Sequence, residues 1–318
     1  MTENFQFAKR SEKVWPYYHE VLAENSALWA DQYALTMAQA LFTSGKHDIN
    51  TTFHQYIRKN PFKGGYLLTA GQNIVLEWMK NNWKFDETDI AILHEEKVSD
   101  PKTGEMTRLY TDEFLDMLAD STFELTVDAM PEGEIAFPDE PIWRVNGPVW
   151  QCLMVEACIL NVTNSQSLFS TLTSRLCKAT EGEPVLEFGL RRAQSLGGLE
   201  SSRAAYVGGG AGTSNMLAKK HYGIPSVGTM AHAFVMLYEN ETDAFRDYAK
   251  AMPNNFVALP DTYDTILGIQ KAVQACKETG TTPKGIRLDS GDFVSLSIEG
   301  RKILDENGYS DAKIAASN

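Results

Sequence analysis

Cysteine is scarce in this chain: four residues in 318, Cys152, Cys158, Cys177 and Cys276. Over that length they do not make a disulfide scaffold, and their spacing fits neither a zinc ribbon nor a zinc finger. They read as reduced, mostly buried thiols. No cluster of His and Cys is spaced to ligate a metal. Long apolar runs are also missing. The most apolar stretch, residues 148–162, is interrupted by Gln151, Glu156 and Asn161 and is too short to cross a bilayer. The opening Met-Thr-Glu-Asn-Phe-Gln-Phe-Ala-Lys-Arg lacks the apolar centre of a secretory signal, so the expectation is a soluble, cytoplasmic protein. Cations are the third shortage. Lys and Arg number 29 against 42 Asp and Glu, a net charge of −13. That balance argues against a general nucleic-acid binder or a basic membrane-surface protein. An anionic substrate must then be held by local cations and backbone N–H groups.

What is present is a globular composition, 43% hydrophobic and 22% charged, in a chain long enough for about two domains. Neither a repeat nor a low-complexity tract interrupts it. Apolar spacing predicts helices over 14–24, 31–43 and 73–83, and another opened by Asp86 as N-cap. Residues 121–128 and 133–137 read as strands. The proline-rich passage 131–148 reads as a connection between domains, followed by two helices over 149–162 and 167–180. From about residue 183 short apolar runs alternate with helix-like segments. The runs are 185–190, 204–207, 226–229, 256–259, 284–288 and 313–316, and the helices begin near Gln194, Ser214, His232, Tyr263 and Val294. Such alternation implies a parallel sheet, open or closed into a barrel, with the ligand site at the C-terminal strand ends.

The polar residues after each run are therefore the ones to read for chemistry. Glu187-Phe188-Gly189-Leu190-Arg191-Arg192 places guanidiniums at a strand end, suited to carboxylate or phosphate; an ion-paired surface is the plain alternative. Gly208 to Asn215 fails the dinucleotide fingerprint, because Thr213 stands where a third glycine is needed, and it fails the P-loop pattern too. It reads as a flexible loop delivering a helix capped by Thr213 or Ser214, or as a tight turn. His232, just beyond the run at 226–229, is open to three readings: general acid/base, phosphate-accepting nucleophile, or a satisfied core histidine. Asp261 reads as a cap or turn residue. Arg287-Leu288-Asp289-Ser290-Gly291-Asp292 is the most informative segment. Its carboxylates suit a vicinal diol or Mg²⁺, and its Arg suits a phosphate, which together fit a phosphorylated sugar; helix caps with a structural ion pair are the plain alternative. Arg58-Lys59-Asn60-Pro61-Phe62-Lys63-Gly64-Gly65-Tyr66 is a basic loop in an acidic chain, able to meet phosphate or to be a solvated turn.

These segments, with Asp31-Gln32-Tyr33-Ala34-Leu35-Thr36-Met37, Gly212-Thr213-Ser214-Asn215 and Gly228-Thr229-Met230-Ala231-His232, occur in one order over residues 31–318. In that order they resemble nicotinate phosphoribosyltransferase. The resemblance implies an α/β chain: an N-terminal α/β domain over 1–147, then an irregular parallel α/β barrel over 148–318. It also implies phosphoribosyl transfer from phosphoribosyl pyrophosphate (PRPP) to nicotinate, with ATP and Mg²⁺ and with pyrophosphate as product. A homodimer is implied, its site shared between subunits. By the same resemblance His232 is the histidine phosphorylated by ATP, and Tyr33 stacks on the ring in the neighbouring subunit. Thr229 contacts nicotinate, Arg191 partners its carboxylate, and Arg287 contacts PRPP. Asp289 and Asp292 hold ribose hydroxyls or metal-bound water, and Gly212 and Thr213 belong to the substrate site. Ala233 departs from the Ser or Glu common in the family, which is expected to alter hydrogen bonding around His232. The sequence ends within the sixth strand-like unit, whereas the family continues with further strands and a glycine-rich turn for the 5′-phosphate. The expectation is an incomplete barrel with weakened or absent turnover. The alternatives carried alongside are nicotinamide as acceptor, and a non-catalytic PRPP- or mononucleotide-binding relative.

Overall fold

Helix α1 (Gln32–Thr43) begins where the spacing predicts it and buries Ala34, Leu35 and Ala38. The structure, a computed structural model, describes residues 26–317; the helix expected over 14–24 lies outside them. Strands β1 (Asn50–Gln55), β5 (Thr126–Ala129) and β7 (Trp143–Pro148) form an antiparallel sheet in the order β1-β7-β5. Its register pairs Asn50 with Pro148 at one end and Gln55 with Trp143 at the other. Two smaller antiparallel pairs accompany it: β2 (Leu67–Leu68) with β6 (Ile135–Ala136), and β3 (Lys97–Ser99) with β4 (Met106–Arg108). Helices α2 (Gln72–Asn81), α3 (Glu87–Glu95) and α4 (Asp112–Asp120) complete the region. Asp86 caps α3 as expected, within a reciprocal capping box closed by Asp89. Trp78, Trp83 and Trp150 contribute to the core, with Trp78 and Trp83 edge-on at 5.6 Å between centroids and Trp83 and Trp150 tilted at 6.3 Å.

The two helices expected over 149–162 and 167–180 are one, α5 (Val149–Ala179), of 31 residues. The polar run Thr163-Asn164-Ser165-Gln166-Ser167 suggests a break, but Thr163, Gln166, Ser167, Ser170 and Thr171 are buried inside the helix. Their hydroxyls serve two purposes. Thr163 donates to the Ile159 carbonyl (2.5 Å) and Thr171 to the Ser167 carbonyl (2.5 Å). Ser167 and Thr171 also accept the backbone N–H groups of Ala70 (3.1 Å) and Leu68 (2.8 Å). The helix thus supplies the hydrogen bonds that a further strand would give to residues 68–70.

The chain divides into two compact units after Val227. The expected boundary at 147/148 falls inside the first, because α5 grows directly out of β7 and lies against that sheet and against α6 (Gly197–Val207). Helix α6 corrects the strand expected at 204–207: its Leu199, Ser202, Ala204, Ala205 and Val207 are all buried, and a short apolar run cannot distinguish a buried helix from a buried strand. The strand role passes to β9 (Gly212–Thr213), parallel to β8 (Leu186–Glu187) and bridged on its other side to Ser226. Helix α7 (Met216–Tyr222) follows. Gly208 is required where α6 meets α5, since a Cβ there would collide with the Ser170 backbone.

The second unit starts at Gly228. Short helix α8 (His232–Val235) and α9 (Glu241–Ala251) precede β10 (Val257–Ala258), α10 (Thr265–Thr279), β11 (Gly285–Leu288), α11 (Phe293–Glu306) and β12 (Lys313–Ala316). The strands pair in parallel in the order β10-β11-β12, as the alternation predicts. Phe245, Phe256, Leu259, Ile269, Ile286 and Leu288 form its core. The result is a mixed α/β chain. None of the four cysteines is in a disulfide, and burial pushes the Cys152 thiol up to about 11 and Cys276 up to about 12. Among the described residues no helix is long and apolar enough to cross a membrane.

Candidate active site

In the second unit the residues that follow two parallel strands, β10 and β11, flank one histidine. His232 opens α8, with its side chain one-third exposed and Nδ1 buried without a partner. Its Nε2 lies 3.6 Å from Asp261 Oδ1 and 3.9 Å from Asp289 Oδ2. Neither separation is a hydrogen bond, so Nε2 stays available to a ligand while two carboxylates flank it. Asp261, just beyond β10, is fully buried at its side chain. Its Oδ2 accepts the Asp289 backbone N–H (3.0 Å) and the Ser290 hydroxyl (2.7 Å), which ties the end of β10 to the turn after β11. Asp289 Oδ1 also accepts the Ser317 hydroxyl from the end of β12.

Arg287, pointing off β11, sets Nη1 3.6 Å from Asp289 Oδ1 and donates from Nη2 to the Met230 carbonyl (3.4 Å). Thr229, half-buried, donates its hydroxyl to the same carbonyl (3.2 Å). His232, Asp289, Arg287 and Thr229 are thus gathered in one place. Asp292 is used differently: it caps α11, accepting the Val294 N–H (3.3 Å) and the Ser295 hydroxyl (2.5 Å). The Ser295 hydroxyl, with backbone N–H groups behind it, holds the Asp292 carboxyl below its usual range.

Asp261 is the residue that sequence reasoning passed over as a cap. The N-cap of α10 is Asp264, whose side chain accepts the Leu267 N–H. A signal existed: Asp261 follows the run 256–259 much as Asp289 follows the run 284–288. Gly268 supports it from α10, because a Cβ there would run into the Pro260 carbonyl oxygen. Gly268→Ala is therefore expected to lower stability by about 1–3 kcal/mol through overpacking, read as a fall in Tm, and to displace Asp261 from His232.

In the first unit Arg191 sits exposed in a 3-10 turn, Leu190–Arg192, directly after β8. Tyr33 lies in the first turn of α1, 53% exposed, and the Glu156 carboxylate is the main influence raising its phenol pKa. Gly212 and Thr213 are buried and occupied. Thr213 donates to Glu187 Oε2 (2.6 Å), which also accepts from Ser202 (2.8 Å). A Cβ on Gly212 would strike the Pro225 carbonyl. The structure uses both to join β8, β9 and α6, and the helix cap expected at Thr213 or Ser214 is Asn215 instead. The basic loop holds Phe62 and Lys63 at φ 56° and 53°, with Arg175 of α5 donating to the Phe62 carbonyl (3.0 Å).

Among the described residues no group of three or more His, Cys, Asp or Glu is arranged to hold a metal ion. Single carboxylates remain suited to Mg²⁺, which usually keeps its waters and takes one or two carboxylates together with substrate phosphates.

Comparison with known proteins places these features. Residues 28–164 match the nicotinate phosphoribosyltransferase N-terminal domain, and residues 184–311 match the nicotinate phosphoribosyltransferase family. The chain is 37% identical to nicotinate phosphoribosyltransferase of Bacillus subtilis, over 93% of this chain and 58% of that protein. It is 36% identical to nicotinate phosphoribosyltransferase pncB2 of Mycobacterium tuberculosis, over 92% and 61%. It thus spans about three fifths of the length of these curated relatives. The crystal structure of human nicotinic acid phosphoribosyltransferase superposes with TM-score 0.77 at 28% identity, covering 91% of this chain and 68% of that one. Two domain matches in order, over residues that include His232, Arg287 and Asp289, identify the chain as a member of the nicotinate phosphoribosyltransferase family.

Proposed function

We propose that this chain carries the transfer centre of a nicotinate phosphoribosyltransferase acting in NAD salvage. The observation that carries the reading is His232 Nε2 flanked by Asp261 and Asp289 at adjacent strand ends, with Arg287 beside them. The pyridine nitrogen forms a bond to C1 of PRPP as the bond from C1 to pyrophosphate breaks, giving nicotinate mononucleotide. The centre needs alignment and charge more than covalent chemistry. Arg287 meets the phosphates, Asp289 takes ribose hydroxyls, and Arg191 pairs with the nicotinate carboxylate. Mg²⁺, bound with the pyrophosphate and reached by Asp289, would neutralise charge on the leaving group.

ATP enters through His232. Nε2 is the nitrogen within reach, since Nδ1 is buried. Nε2 takes the γ-phosphoryl group as ADP leaves, and water later cleaves the P–N bond, restoring the imidazole and releasing phosphate. The enzyme is read as a homodimer in which Tyr33 serves the neighbouring site.

The test is pyrophosphate release from PRPP with Mg²⁺ and ATP, comparing nicotinate, nicotinamide and no acceptor. Release should depend on nicotinate. Arg191→Ala is expected to raise KM for nicotinate by about 10- to 100-fold, as the loss of a charged hydrogen bond implies. Equal release with nicotinamide, or an unchanged KM in the variant, would overturn the carboxylate assignment.

A further inference from the structure

The end of β8 carries an acid that the transfer chemistry does not use. Glu187 closes that strand, shortly before the turn that holds Arg191. It is half-buried, and the polar groups around it, Ser202, Thr213 and Asn215, are buried. Their protons run in one direction. Asn215 Oδ1 accepts the Leu217 N–H (3.0 Å), which fixes Nδ2 as the donor to the Ser202 hydroxyl (3.3 Å). The Asn215 N–H donates to the Thr213 hydroxyl (3.0 Å). Each hydroxyl, having accepted from Asn215, donates in turn to Glu187 Oε2, Thr213 at 2.6 Å and Ser202 at 2.8 Å. Ser202 shares its proton with the Gly198 carbonyl (2.8 Å). Glu187 Oε1 accepts the Gly189 N–H. The donors thus end on one carboxylate, a position that suits a group with acceptors alone.

The far end of this relay is the turn itself. Gly189 opens it, and the Arg192 N–H closes it on the Gly189 carbonyl (2.9 Å). A Cβ on Gly189 would stand 2.8 Å from Glu187 Oε1, so the carboxylate lies directly against the first residue of the turn. On the other side Leu190 rests on the start of α6, where a Cβ on Gly198 would meet Leu190 Cδ1 at 2.7 Å. Carboxylate and helix together set where the Arg191 backbone stands, while the Arg191 side chain is exposed.

We propose that Glu187 is a positioning residue for the acceptor substrate: it holds the Leu190–Arg192 turn in the place from which Arg191 meets the nicotinate carboxylate. The inference rests on Arg191 as that partner and adds the residue that acts through it. No bond is made or broken at Glu187. An amide at 187 offers one oxygen and one NH₂, so either the Gly189 N–H or the two hydroxyls would then face a donor. The turn loosens, and affinity for the acid falls. The transfer step, whose groups His232, Arg287 and Asp289 lie in the second unit, keeps its rate.

The experiment measures pyrophosphate release against nicotinate concentration for the intact chain, Glu187→Gln, Arg191→Ala and the double variant, with amide hydrogen exchange of each protein alongside. Glu187→Gln is expected to raise KM for nicotinate about tenfold, as loss of a charged hydrogen bond implies, with kcat within about twofold. In the Arg191→Ala background the same change should add less than about twofold, because the two residues act as one unit. Exchange over residues 188–192 should speed about tenfold in Glu187→Gln while α5 keeps its protection, which reads the turn independently of turnover. Thr213→Val removes one donor and keeps the shape; it should raise KM by a smaller factor and keeps the test valid should Glu187→Gln fail to fold. A fall in kcat with KM unchanged, or additive losses in the double variant, would overturn the proposal, since a merely structural role gives those. So would unchanged exchange over 188–192. A KM raised by Arg191→Ala and not by Glu187→Gln would overturn this inference alone. A KM unchanged in both would overturn the Arg191 assignment and the inference with it.

Discussion

Arg203→Ala is expected to cost about 3–5 kcal/mol of stability, the range for breaking a buried ion pair from one side. Arg203 and Glu132 have fully buried side chains, with Nη2 2.7 Å from Glu132 Oε2. Nη1 donates to Gln166 Oε1 (2.8 Å), and Gln166 in turn donates to Glu200. Glu132 Oε1 accepts the Gly71 N–H (2.6 Å) and the Asn73 N–H (3.3 Å) at the start of α2. The Glu132 carboxylate thus ties α6 to the N-terminus of α2, and Arg203 extends the network to α5 through Gln166. Burial pulls the Arg203 pKa down, but the Glu132 charge and hydrogen bond outweigh it and the net shift is upward. Alanine leaves that carboxylate charged, dry and without its counter-ion. The Arg203→Met, Glu132→Gln double variant removes both charges and should recover a large part of the loss. Urea unfolding of the two single variants and the double variant checks this: additive losses would show that the pair is not a unit.

His232→Ala is expected to abolish ATP stimulation while leaving PRPP turnover at its ATP-free rate. Site coupling of this kind amounts to about 1–3 kcal/mol, so a stimulation of roughly 5- to 150-fold should disappear. Because Nε2 is the accessible nitrogen and Nδ1 is buried, label from γ-phosphate-labelled ATP should enter the native protein and not the variant. The label should be acid-labile and alkali-stable, as a phosphorylated imidazole is. ATP stimulation that persists in the variant would remove His232 from the coupling step. Its neighbours give the residue its setting: Asp261 is anchored by the Asp289 N–H and the Ser290 hydroxyl and cannot swing away from the ring without breaking both bonds.

Much of this was legible in the residues. Helices α1, α3, α10 and α11 follow from apolar spacing and caps, and β10, β11 and β12 from short apolar runs, because period and capping are local properties of the chain. The segment from Arg287 to Asp292 stood out for the same reason. Two readings failed where burial reverses the usual meaning of a residue. A polar run reads as a helix break, yet Ser167 and Thr171 lie inside α5 because they supply hydrogen bonds to residues 68–70. A short apolar run reads as a strand, yet 204–207 is helix because α6 is buried on nearly every side.

Residue type and spacing alone determined the α/β alternation of the second half and singled out Arg287 and Asp289, and the family resemblance carried by the ordered motifs pointed to His232. Tertiary structure decided the rest. It drew Asp261 beside His232 and bound Ser317 to Asp289 across 28 positions. It committed Thr213 to Glu187 and Asp292 to a helix cap, and it paired Glu132 with Arg203 across 71 positions. The physical reason is range. Propensity and capping act within a turn or two of chain, whereas the partner of a carboxylate is set by which strand ends and helix faces the folded core brings within 3 to 4 Å.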